Sequence, residues 1–140
     1  MKIDLNQHQT KAAVVFCVDF RFVKPTLQLI DQELGIKLPD IFTIPGAGKG
    51  FAEDSAYSRC VMYDIGNVSV KLHDIDEIYI FSHEDCGAYG SSQAFANLVE
   101  EKVKIQADLM VAREKMVVAF PDQLVRIGWV TAQGAIEMFN

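Results

Sequence analysis

Ala12-Ala13-Val14-Val15-Phe16-Cys17-Val18 is an unbroken apolar run bounded by polar residues, the pattern of a strand covered on both faces in a parallel sheet. Asp40 to Ile44, Glu77 to Ser82 and Leu124 to Val130 read as further strands, and Ala135 to Phe139 closes the chain as a hairpin partner. Between them the period lengthens. Pro25 marks a helix start and Gly35 its C-cap, with Thr26 to Leu34 between. Phe51 to Leu72 repeats Tyr57, Val61, Ile65, Val68 and Leu72 at helical spacing, with a break expected at Gly66-Asn67. Ser91 to Met116 reads as two more helices. Pro45 to Gly50 is expected to be a loop passing close to a neighbour, and residues 1–11 an N-terminal arm.

Strands alternating with helices predict an α/β fold, with a mainly parallel open sheet of about four to five strands, flanked by helices and joined by right-handed crossovers. With 140 residues, half of them apolar, the chain is expected to form one domain with a substantial core.

Composition narrows the function. The balance of 13 basic against 19 acidic residues gives a net charge of -6, and the basic residues are scattered, which argues against nucleic-acid binding. The sequence has no membrane-length apolar run, and its start lacks the apolar block of a secretory signal. A cytoplasmic location is expected. Three cysteines in such a chain favour reduced thiols used for metal binding or burial over a disulfide framework.

Two stretches concentrate the chemistry. Cys17-Val18-Asp19-Phe20-Arg21 ends the first strand, and Ser82-His83-Glu84-Asp85-Cys86-Gly87 ends the third. Both therefore lie at carboxyl ends, where open parallel sheets usually bind ligands. If the chain stays extended through residue 21, Cys17, Asp19 and Arg21 share one side, and Phe16, Val18, Phe20 and Phe22 face the other. Cys17, His83 and Cys86 then offer two thiolates and one imidazole, a donor set suited to Zn²⁺, with a fourth position for water or Asp19. Arg21 would hold Asp19 by a guanidinium fork. A helix following Cys86 is expected to favour its thiolate. Cys60 is expected in the core, and His8 and His73 in solvent. Pro45 to Gly50 fails the phosphate-loop pattern, because Gly50 follows Gly48-Lys49 where Ser or Thr is needed.

Cys-x-Asp-x-Arg at 17–21 with His-x-x-Cys-Gly at 83–87 resembles the β-class carbonic anhydrases, and the similarity extends from about residue 12 to residue 139 through Asp40-Ile41-Phe42, Ala47-Gly48 and Gly128-Trp129-Val130. The resemblance implies zinc on Cys17, His83 and Cys86, with Asp19 and Arg21 as the catalytic pair that governs the fourth position. It also implies a lyase (carbonate dehydratase) that interconverts carbon dioxide and bicarbonate, and a homodimer or higher homo-oligomer. Where the family usually has Arg-Asn-Ala-Gly-Asn, this chain has Pro45-Gly46-Ala47-Gly48-Lys49. Two alternatives stay open: a zinc-binding member closed by Asp19 and without hydratase activity, and a hydrolase of a related small electrophile such as carbon disulfide.

Overall fold

A computed structural model of the chain describes residues 2–140. Its centre is β1 (Ala12–Phe16), five residues all buried. The other strands are β2 (Asp40–Thr43), β3 (Glu77–His83), β4 (Leu124–Val130) and β5 (Ile136–Phe139), and the sheet order is β2-β1-β3-β4-β5. All pairings are parallel except β4 with β5, an antiparallel hairpin. The expected α/β sheet is therefore found with five strands.

Alternate residues of β1 feed two cores, as the two-residue strand period requires. Ala13 and Val15 join Ile78, Ile80, Ile127 and Trp129 under Phe51, Ile105, Leu109 and Met116. Ala12, Val14 and Phe16 join Tyr79, Phe81 and Val130 under Ile30 and Ile36. Each large aliphatic side chain so buried contributes about 1.5–3 kcal/mol. The strand order also places the site: the chain leaves β1 for β2 on one side and returns to β3 on the other, so the carboxyl ends of β1 and β3 flank a topological switch point.

The helices depart from expectation in instructive ways. The first, α1 (Phe20–Leu34), begins five residues before Pro25, because the Asp19 side chain accepts the Arg21 N–H as an N-cap. Gly35 ends it at φ 68°. The Gly-rich segment is not all loop: Gly48–Ala52 forms a short helix, α2. The expected close approach is present, since a Cβ on Gly48 would stand 2.9 Å from Leu109 Cδ2. After α3 (Ala56–Asp64), Gly66-Asn67 causes no break; Ile65–Val70 continues as a π-helical turn. Beyond a 3-10 turn at Ser92–Ala94, the expected helix pair is one helix, α4 (Leu98–Ala119), whose interior has no Gly or Pro and whose start is capped by Asn97. Among the described residues no helix is long and apolar enough to cross a membrane.

Candidate metal centre

β1 ends at Phe16, paired with Phe81 of β3, so Cys17 and His83 both leave the sheet at the switch point. Cys86 returns to the same spot through a turn in which Asp85 adopts φ 57°. All three side chains are buried, and their ligand atoms lie within 4.8 Å of one another. The two sulfurs are 3.8 Å apart.

The histidine explains the arrangement. His83 Nδ1 is 2.7 Å from the Glu84 carbonyl, which can only accept, so Nδ1 carries the proton and Nε2 keeps its lone pair. That Nε2 is buried without a hydrogen-bond partner among the described residues. Burying an acceptor unpaired costs about 1–3 kcal/mol, so this one calls for a ligand. Phe22 stacks on the ring, centroids 4.0 Å apart, and fixes its plane.

Both thiols are perturbed. A hydrogen bond from the Cys86 thiol, opposed by burial and aided by the Gly46 N–H, pulls the Cys17 thiol down. Giving that bond, together with burial, pushes Cys86 up. Two buried sulfurs 3.8 Å apart favour one thiolate beside one thiol, and a thiolate is the form that ligates a soft cation. The helix expected after Cys86 is a three-residue 3-10 turn, Gly87–Tyr89. It is too short for a useful dipole, and neighbouring groups set the thiol chemistry instead.

Asp19 and Arg21 do come together, by a different route from strand alternation. Extended structure has ended at Phe16, and the N-cap turn brings them face to face. Val18 and Phe20 are consequently solvent-exposed, Phe20 at 87%, rather than turned into a core. Arg21 Nε donates to both Asp19 oxygens at 3.0 and 3.2 Å, and its NH2 donates to Oδ2 at 2.7 Å. These bonds hold the Asp19 carboxyl down at about 2. Its Oδ2 lies 3.9 Å from His83 Nε2. Cys17, Val18, Asp19, Phe20, Arg21, Pro45, Gly87 and Ala88 line an open cleft at this point.

The model of a family described as "Putative carbonic anhydrase" matches residues 7–138. The chain belongs to that family. Two relatives are uncharacterized proteins of Rickettsia. The one from Rickettsia conorii is 27% identical over 135 residues, covering 93% of this chain and 72% of its own length. The one from Rickettsia bellii is 26% identical, covering 93% and 82%. Among solved structures, the carbonic anhydrase of Streptococcus mutans shares the fold with a TM-score of 0.54 at 17% identity, over 100% of this chain and 87% of that one. This carbonic anhydrase family member therefore has the family's sheet and a Cys-His-Cys group that could hold a metal ion.

Other sequence expectations fall away from the site. Cys60 is exposed, not core, because α3 turns Ser58 and Val61 inward and Cys60 lies off that stripe. His8 is exposed as expected, but His73 is half-buried, with Nδ1 2.9 Å from both oxygens of Asp40. Asp85, Glu101 and Lys49 join the site's surroundings in the structure. Lys49 Nζ donates to the Ala88 carbonyl at 2.6 Å, tying the Gly-rich segment to the loop of Cys86. Asp85 had a signal in its position between His83 and Cys86; Glu101, one acid among several on a long helix, had none.

Proposed function

We propose that the protein is a zinc-dependent carbonic anhydrase that reversibly hydrates carbon dioxide, with Cys17, His83 and Cys86 holding the ion. The observation that carries this reading is the orphaned, buried His83 Nε2 beside two buried sulfurs. Two thiolates and a neutral imidazole suit Zn²⁺, and three protein ligands leave the open position typical of catalytic sites. When bound, the ion supplies Lewis acidity that lets a water ionise far below its ordinary pKa.

The chain's own residues do the rest. Asp19, kept ionised by Arg21, is an acceptor without a proton to give. At the edge of the ligand group it orients a water with a hydrogen toward Oδ2 and a lone pair toward the cluster. Arg21 engages both Asp19 oxygens and restrains the carboxylate from turning. An open cleft with Val18, Phe20, Pro45 and Ala88 on its walls suits a small apolar substrate better than a large polar one. The same reading includes one catalytic domain and a homo-oligomer, supported by apolar Val18 and Phe20 exposed at the rim.

Stopped-flow carbon dioxide hydration, on protein with quantified zinc, tests the reading. Hydration well above the buffer rate, lost in Asp19→Ala, is the expected result. A rate no better than buffer at full occupancy overturns it in favour of another small electrophile or a site closed by Asp19. A cobalt(II) spectrum that ignores added anions would identify the closed site.

A further inference from the structure

The Asp19–Arg21 pair is held from behind. Arg21 NH1 donates to Asp85 Oδ2 at 2.8 Å, and its NH2 donates to the Asp85 carbonyl at 3.0 Å, while Nε and NH2 serve Asp19. An exposed Asp–Arg pair two residues apart would ordinarily sample many rotamers and contribute little. A guanidinium whose two edges are committed to two carboxylates loses that freedom once for both partners.

Asp85 is itself fixed. It sits at φ 57°, in the left-handed region that Asn, Asp and Gly tolerate. Its Oδ1 accepts the Ser92 N–H at 2.9 Å, and its own N–H donates to Glu101 Oε1 at 2.7 Å. Glu101 Oε2 accepts the Ser92 hydroxyl at 2.6 Å. Glu101 is fully buried on α4, so the helix anchors the loop, the loop anchors the guanidinium, and the guanidinium anchors Asp19.

We propose that Asp85 is a positioning residue: it grips the far edge of Arg21 and so keeps the Asp19 carboxylate from closing on the Cys17–His83–Cys86 group. What the restrained carboxylate is for rests on the function proposed above; the grip itself belongs to the metal-free chain. Without the Asp85 carboxylate the far edge of the guanidinium keeps only the residue-85 carbonyl, and Asp19 Oδ2 has 3.9 Å to cover to His83 Nε2. Asp19 would then compete for the open ligand position.

The test uses Asp85→Gly and Asp85→Asn, both compatible with the left-handed turn, with backbone amide spectra to confirm the fold. The first readout is solvent exchange of the Arg21 Nε–H in metal-free, reduced protein, the signal being assigned by its loss in Arg21→Lys. In Asp85→Gly exchange should quicken about tenfold, the scale of one lost charge-assisted hydrogen bond. Asp85→Asn, with one oxygen for the two donors Asp85 now satisfies, should fall between that variant and wild type. The second readout is the cobalt(II) spectrum, whose response to added anions should be weaker in Asp85→Gly than in wild type. Unchanged exchange in both folded variants overturns the proposal. Faster exchange in a protein whose zinc form hydrates no carbon dioxide would leave the positioning role standing and remove the proposed function alone.

Discussion

The two ends of the parallel sheet carry similar residue types and put them to different uses. At the amino end, His73 and Asp40 form a half-exposed pair in which both partners are satisfied, at 2.9 Å. An open depression there is lined by Lys2, Asp4, His8, Thr10, Asp40 and His73, so it has imidazoles and carboxylates in plenty. At the carboxyl end, His83 is buried with one nitrogen bound to a carbonyl and the other unpaired beside two sulfurs. Among the described residues the three-donor group is found at this end, and not at the other. Residue type alone therefore does not mark a ligand. A buried lone pair left without a partner, and aimed at other donors, does.

Substitutions at the two ends should separate by orders of magnitude. The largest effect is expected for His83→Ala or Cys86→Ala, which should weaken zinc binding by more than about a hundredfold in a competition titration with a chelating dye. His73→Ala and Cys60→Ser, in the same titration, should keep wild-type stoichiometry. Next comes Asp19→Ala, expected to lower carbon dioxide hydration about 10²–10⁴-fold while retaining zinc, as measured by stopped flow alongside metal analysis.

Smaller effects test the scaffold that brings the carboxyl end together. Gly48→Ala would put a Cβ 3.2 Å from the Leu109 Cα and 2.9 Å from its Cδ2, so α2 and α4 must part. A loss of about 1–3 kcal/mol in denaturant unfolding is expected, against less than about 1 kcal/mol for His73→Ala. The smallest effect concerns acid. The Arg21 bonds hold Asp19 at about 2, below its ordinary 3.8, so its contribution to stability is present above that ordinary value and is lost as pH falls toward 2. The stability difference between wild type and Asp19→Asn should shrink across that window and be constant above it.

The same contrast explains what could be read from residues alone. Continuous apolar runs announced β1, β3 and β4, and motif spacing brought Cys17, His83 and Cys86 to one edge, because both signals are local and the sheet topology converts them directly. Strand alternation pairs Asp19 with Arg21 for the wrong geometric reason, because an N-cap begins a helix there, and N-capping is decided by a side chain competing for backbone N–H groups. Cys60 lies outside the core expected of it because a one-residue offset on a helix turns a side chain by about 100°, enough to leave a narrow apolar stripe. Glu101 and Asp85 could not be connected at all, since their link joins a loop to a helix position 16 residues away through a single hydrogen bond.

The most direct test of the whole account is X-ray absorption at the zinc edge of stoichiometrically loaded protein. The account requires a first shell of two sulfurs at about 2.3 Å with nitrogen or oxygen ligands at about 2.0–2.1 Å completing four-coordination, and loss of one sulfur in Cys86→Ala where any zinc persists. A shell of nitrogen and oxygen alone, or one unchanged by substituting Cys86, would place the metal elsewhere and contradict it.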